Sequence, residues 1–382
     1  MIATEIQKIS NEELEIALNR EMSRRSFIFF FRLCMKHIYS HIEFVDNWHY
    51  EYLCNALQER FEKTLRHEKA KHLLINCPIR AGKTILISEI FPVWIWVRSY
   101  VENKSIAIQN VCATQRLATK SSRMSKLIIT SEFFRKMFPE IELARDSKSK
   151  ADYATTNNST RQSFGIDSSI IGSSYSVLIC DDLNDPAEVN SETSLNNVIS
   201  TFDDVISGRM SNEWDMRVIL QQRTSSRDLC QHLIDNHKED YHHICITGEL
   251  TKDTTPDLIK YYTDGLFFPK RYSRQRLAQY AKELSSQAYA SQILQSPSAL
   301  AGEILLRKWF KTIKQSEFQS IPKQKVYMFL DTAYTSTDKN DPTGFYICIV
   351  HNGKIYIMHA VEIWLEFYEL IQEILELIKL AP

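Results

Sequence analysis

His72-Leu73-Leu74-Ile75-Asn76-Cys77-Pro78-Ile79-Arg80-Ala81-Gly82-Lys83-Thr84 is the stretch on which the fold turns. His72 to Asn76 is a short apolar run with the composition of a buried strand. A turn follows, and then a helical run from Lys83 to Arg98. Binding phosphate needs backbone N–H groups aimed at one point, a helix N-terminus and a lysine. In this stretch Gly82 allows close backbone approach, Lys83 would reach the β- and γ-phosphates of a nucleotide, and Thr84 would hold Mg²⁺. The usual pattern opens on glycine, whereas Cys77 stands there, so the motif is degenerate. A bare Gly-Lys-Thr is otherwise a helix start with a solvated lysine. Its placement between a strand and a helix is what gives it weight.

Moving outward, residues 1–70 read as helical. Ser10 or Asn11 caps a helix whose first turns carry Glu12, Glu13 and Glu15, as the helix dipole favours. Asp46-Asn47-Trp48-His49-Tyr50 opens another, running to about Lys71. Beyond the loop, strand and helix patterns alternate. Ser105 to Gln109 reads as a strand, Thr114 to Phe138 as a long helix and Ser176 to Cys180 as a third strand. Met216 to Gln221 is a fourth strand, with a helix starting near Ser226, and Tyr241 to Thr247 is a fifth. Buried β-branched runs alternating with helices predict an α/β fold, a parallel sheet with helices on both faces, over residues 71–250.

The third strand ends in Asp181-Asp182. A phosphate-loop site needs an acid on the strand beside the loop to hold Mg²⁺ through water, and Asp181 fits that role. Asp182 is placed to orient or deprotonate the attacking water. Asp-Asp-Leu-Asn-Asp-Pro is also a good turn sequence on any fold. What favours the site is the order: loop and acid lie about a hundred residues apart, each at a strand end.

At 382 residues the chain is long enough for two domains. Hydrophobic residues make up 44% and charged residues 24%, which predicts a packed protein. The net charge of −1 gives no global basic signature, so any contact with nucleic acid must come from local patches. The eight cysteines, at 34, 54, 77, 112, 180, 230, 245 and 348, include no CxxC pair, which excludes a zinc ribbon or redox pair of that spacing. Several sit in apolar runs, which suits a reducing cytoplasm. The N-terminus is too polar for a signal peptide. The longest apolar runs, Phe27 to Phe31 and Phe91 to Val97, fall far short of the ~20 residues a membrane span needs.

Residues 251–324 are more polar and carry Pro256, Pro269, Pro297 and Pro322. They read as a linker with one helix, about Ser273 to Gln295. Lys325 to Leu330 begins a second unit over 325–382, continuing with Gly344 to Val350, Lys354 to His359 and a helix from Trp364 to Leu380.

These motifs together resemble the large terminase subunits of tailed phages and prophages. The family's phosphate loop often lacks the first glycine, and Pro78-Ile79-Arg80-Ala81-Gly82-Lys83-Thr84 matches that form. Paired acids end its second motif, as Asp181-Asp182 do, and Ile170-Ile171-Gly172-Ser173-Ser174 looks like the approach to that strand. Ile219-Leu220-Gln221-Gln222-Arg223 followed by Asp228-Leu229 is similar to its third motif, with Gln222 where Thr is commoner. Trp48-His49 resembles the adenine-side segment. Phe268-Pro269-Lys270-Arg271 and Tyr289 to Gly302 resemble the linker to the second domain. The resemblance covers roughly residues 40–360.

The resemblance implies an ASCE-type P-loop ATPase that pumps double-stranded DNA into procapsids. ATP and Mg²⁺ are the implied ligands, with Pro78, Arg80, Ala81, Gly82, Lys83, Thr84 and Trp48 around the nucleotide. The arginine that neutralises developing charge is Arg80 or, alternatively, Arg209 or Arg223. It further implies a homo-oligomeric ring on a portal protein, a small terminase subunit that chooses the DNA, and no membrane. The family's second domain is a ribonuclease H-like nuclease using Mg²⁺ or Mn²⁺. Asp331 matches its first metal ligand; Asp341 matches a frequent acid and is equally a turn residue. Only 57 residues remain from Val326, too few for that fold's core, which predicts an incomplete nuclease site. The alternatives are another DNA-dependent ATPase of helicase type and an inactive prophage remnant.

Overall fold

A computed structural model describes residues 10–145, 147–168, 174–185, 188, 191–297, 310–322, 326–332 and 343–379. The chain divides into two compact units, residues 1–301 and 302–382.

The first unit opens with α1 (Asn11–Arg25). The Ser10 hydroxyl accepts the Glu13 N–H while the Glu13 carboxylate accepts the Ser10 N–H, a reciprocal cap that fixes the helix start. In α2 (Phe27–His37), Phe27, Phe30, Phe31 and Cys34 fall on one face at helical spacing and are buried. α3 (Trp48–Leu65) ends earlier than expected, because His67 turns into the left-handed region at φ 57°. Then come β1 (His72–Asn76), the 77–84 loop, a π-helical segment (Ile85–Ile90) and α4 (Phe91–Val101). β2 (Ala107–Cys112), α5 (Gln115–Thr130), α6 (Glu132–Met137), β3 (Asp152–Ala154), β4 (Thr160–Gly165) and β5 (Val177–Asp181) follow. The unit closes with α7 (Glu192–Thr201), β6 (Met216–Leu220), α8 (Leu229–Asn236), β7 (Tyr241–Cys245), α9 (Arg274–Glu283) and α10 (Ser286–Gln292).

The seven strands form one sheet in the order β3-β4-β2-β5-β6-β1-β7. All pairings are parallel except β3 with β4. Side chains alternate between its faces, as strand geometry requires. Leu73, Ile75, Val177, Ile179, Val218 and Leu220 enter one core, and Leu74, Leu178, Cys180 and Ile219 another. Helices therefore cover both faces. The acid-bearing strand is not the immediate neighbour of the loop strand, since β6 lies between them. Register still brings them level: Leu220 pairs with Ile75 on one side and with Asp181 on the other. The loops after β1, β5 and β6 thus leave the sheet along one edge, where ligand crevices of open α/β sheets form.

Two of the long predicted helices break at a serine. Ser131 ends α5 and accepts the Phe134 N–H to start α6. Ser285 accepts the Ala288 N–H to start α10. A hydroxyl that bonds nearby backbone competes with helix continuation. All eight cysteines are free and buried. Among the described residues, no helix is long and apolar enough to cross a membrane.

The second unit contains α11 (Gln315–Gln319), β8 (Val326–Asp331), β9 (Thr343–His351), β10 (Lys354–Ile363) and α12 (Phe367–Ile378). Its strands form an antiparallel sheet in the order β10-β9-β8. Asn352 and Gly353, at φ 49° and 70°, make the two-residue hairpin turn between β9 and β10.

Candidate active site

The 77–84 loop bends because two of its residues adopt left-handed backbone: Arg80 at φ 58° and Gly82 at φ 75°. Gly82 is required twice over. Its backbone suits glycine, and a Cβ there would lie 2.7 Å from the Tyr50 hydroxyl oxygen. His49, next to Tyr50 on α3, is buried with Nε2 3.0 Å from the Ala81 carbonyl oxygen. Burial holds the His49 imidazole down at about 4, so it is neutral at pH 7. On the other side of the loop, Ile79 donates its N–H to Gln292 O at 3.1 Å, and its carbonyl accepts the Tyr272 hydroxyl.

Lys83 and Thr84 start the helical stretch, and Asp181 and Asp182 end β5 opposite them. Lys83 Nζ stands 3.3 Å from Asp182 Oδ2. Thr84 Oγ1 is 3.5 Å from Asp181 Oδ1, and Ser88 Oγ donates to Asp181 Oδ2 at 2.7 Å. Asp181 is buried. Burial, then the Asp182 charge, push its pKa up to about 7, while the Ser88 hydrogen bond, Lys83 and Thr84 pull the other way. Asp182 leaves the strand at φ 48°, turning its carboxylate toward the segment after β6. There Gln222 donates twice to it, from its backbone N–H at 2.8 Å and from Nε2 at 3.1 Å. The carboxylate fixes which end of the Gln222 amide faces it. Among the described residues, Gln222 Oε1 is buried with no hydrogen-bond partner.

Four residues singled out in the sequence therefore converge: Lys83, Thr84, Asp181 and Asp182. Pro78 and Ala81 are buried within the loop. Arg80 is exposed on the loop and forms no ion pair among the described residues. Arg223 is buried and committed, with Nε 3.2 Å from Asp228 Oδ2 and Nη2 donating to Gln231 Oε1 at 2.7 Å. Arg209 donates to the Val205 carbonyl at 2.9 Å. Trp48 donates its indole N–H to Phe267 O at 2.8 Å and stacks on Tyr261 with ring centroids 5.2 Å apart. The adjacent His49 and Tyr50 are the α3 residues that meet the loop. Asp331 ends β8 in the second unit, exposed and in register with Gly344. Asp341 and Ile170 to Ser173 lie outside the described residues.

Sequence reasoning missed Ser88, Tyr50 and the pairing of Gln222 with Asp182. Ser88 falls four residues after Thr84, a spacing that shares a helical face, and this was the available signal.

A strand, a glycine-lysine turn, a helix and an acid-tipped strand in one mostly parallel sheet place the first unit in the P-loop NTPase fold class. No protein-family model matches the chain, and no curated protein matches it significantly. Among solved structures, it is similar to the large terminase of a thermophilic bacteriophage in complex with ATP-γ-S. Identity is 14%, covering 84% of this chain and 73% of that one, with a TM-score of 0.37. It is also similar to that terminase with ADP, at 14% identity over 85% and 73%, TM-score 0.37. An ATPase-domain variant of the Thermus phage P74-26 large terminase is similar at 11% identity over 62% and 93%, TM-score 0.40.

Proposed function

We propose that the first unit hydrolyses ATP and uses the energy to move double-stranded DNA, as the packaging ATPase of a large terminase. The observation that carries this is the meeting of Lys83, Thr84, Asp181 and Asp182 at one sheet edge. The order of the motifs along the chain supports the terminase assignment over other P-loop ATPases.

The phosphates of ATP lie on the N–H groups of the turn at the helix start. Lys83 leaves Asp182 for the β- and γ-phosphate oxygens, exchanging one anionic partner for another. Asp182, still held by the two Gln222 donors, accepts a proton from water. The water oxygen bonds to the γ-phosphorus as the bond from phosphorus to the ADP oxygen breaks. Arg80, exposed on the loop and without an ion pair among the described residues, neutralises charge on the phosphates. Mg²⁺ fits this donor set, because the Thr84 hydroxyl and the buried Asp181 carboxylate are hard oxygen donors 3.5 Å apart. Thr84 and Asp181 would hold it, and bound there it would neutralise phosphate charge. By the same assignment the motor works as a ring on a portal protein in the host cell, with a small terminase subunit selecting the DNA.

The test is ATPase activity of the purified chain with and without linear double-stranded DNA, with Lys83→Ala as control. DNA-stimulated hydrolysis is expected, reduced about a hundredfold or more in Lys83→Ala. Hydrolysis that survives this substitution, or that ignores DNA, overturns the proposal.

A further inference from the structure

Cations on the first unit commonly sit against carboxylates: Arg24, Arg32, Lys63 and Arg98 each have one within 3.0 Å. The outer face of α5 differs. Arg116, Lys120 and Arg123 recur at i, i+4 and i+7, forming an exposed stripe about 10 Å long. None of the three forms an ion pair among the described residues. No Asp or Glu occurs from Asn103 to Ser131, although the chain as a whole is nearly neutral. Lys126 extends the patch from the side of the helix: its ammonium donates to Ser147 O at 2.6 Å and Ser149 O at 2.9 Å. That clamp lays the exposed Lys148 and Lys150 beside α5. Gln115, Arg116, Thr119, Lys120, Arg123 and Lys150 line one open groove of about 520 Å³.

Unpaired like charges held side by side repel one another, and a polyanion is the partner that relieves this. The groove has no aromatic residue on which unpaired bases could stack, so it suits a phosphate backbone rather than a single strand. The inner face of the same helix packs on the π-helical segment that follows the phosphate loop. Ser125 donates to the Glu89 carbonyl in the π-helical segment, and Arg161 donates to both Ser125 and, at 2.8 Å, the Ser88 carbonyl. Ser88 in turn holds Asp181.

We propose that the outer face of α5, with Lys148 and Lys150, seats the phosphate backbone of double-stranded DNA. We further infer that this contact is relayed through Ser125, Arg161 and Ser88 to the ATPase site. The proposal rests on the ATPase assignment above, and its test separates the two. Fluorescence anisotropy with a labelled linear duplex, run over a salt series, compares the wild-type chain with the triple variant Arg116→Gln, Lys120→Gln, Arg123→Gln. The slope of log affinity against log salt is expected to become shallower by about 3, one unit per lost phosphate contact. Lys148→Gln with Lys150→Gln, off the helix, is expected to reduce it by about 2. ATP hydrolysis without DNA stays at the wild-type level in both variants, while DNA stimulation is lost in the triple variant. Unchanged salt slopes with intact hydrolysis overturn the DNA seat and leave the ATPase standing. No hydrolysis in the wild-type chain overturns the ATPase assignment itself. If the triple variant instead loses binding to phosphatidylserine vesicles while duplex affinity is unchanged, the face belongs to a membrane and the DNA seat is overturned.

Discussion

Asp182 has two partners, and both Lys83 and the Gln222 side chain meet its Oδ2. Lys83 pairs with it at 3.3 Å, and Gln222 grips it with two hydrogen bonds. Asp182→Asn should therefore split binding from chemistry. It removes the charge that competes with ATP for Lys83, so affinity for a fluorescent ATP analogue should stay equal or rise. It also removes the proton acceptor, so kcat should fall about a hundredfold or more. Binding and single-turnover hydrolysis, measured on one preparation, check both halves. A variant that loses affinity and rate together would show that Asp182 shapes the loop rather than the reaction. Lys83, Thr84 and Asp181 were legible in the sequence because each sits in a contiguous strand-and-turn signature. The Gln222 grip on Asp182 was not, because it depends on β6 lying beside β5 and on Asp182 taking a left-handed turn. Neither follows from residue identities along the chain.

At the level of elements, the phosphate loop is shaped from outside as much as by its own residues. The Tyr50 hydroxyl of α3 fills the space that a side chain at position 82 would need. Gly82→Ala carries both that contact and a left-handed backbone, which costs about 1–2 kcal/mol for a residue with a Cβ. ATP affinity should drop at least about tenfold, with only a modest change in melting temperature. Adding Tyr50→Phe should recover part of the loss, because the clashing atom nearest to Cβ is the hydroxyl oxygen; no recovery would remove Tyr50 from this role. The elements invisible in the sequence have a physical explanation too. β4 alternates between partly and fully buried positions, but its buried side chains include Arg161 and Ser163. A strand whose inward residues are polar lacks the apolar period by which strands are recognised. The π-helical segment was likewise hidden, since Ile85 to Ile90 has the apolar composition of an ordinary helix.

Across the first unit as a whole, two histidines, His49 and His72, are buried and a third, His243, is half-buried, and all three are held neutral. Burial lowers His49 and His243 to about 4 and His72 to about 3. In the unfolded chain they titrate near 6.5, so between these values the unfolded state binds more protons. Stability from these groups is complete above about 6.5 and is lost as pH falls toward 4. Each should cost about 1 kcal/mol between pH 7 and pH 5.5. Glu89 and Asp181, raised by burial, act with the opposite sign, so the informative quantity is a difference. His243→Gln should flatten the fall in urea midpoint between pH 7 and 5.5 relative to wild type. Parallel curves for the two proteins would exclude His243 from acid sensitivity.

Ile79 is tied at both backbone groups to the region after β7, through Gln292 and Tyr272. A turn anchored at its N–H and its carbonyl has little freedom to rearrange alone. Any displacement of the loop must stretch α10 or drag Tyr272 with it, so the far end of the unit registers whatever occupies the phosphate turn. Amide deuterium uptake at residues 289–295 should accordingly slow when an ATP analogue binds, although none of these residues carries the chemistry.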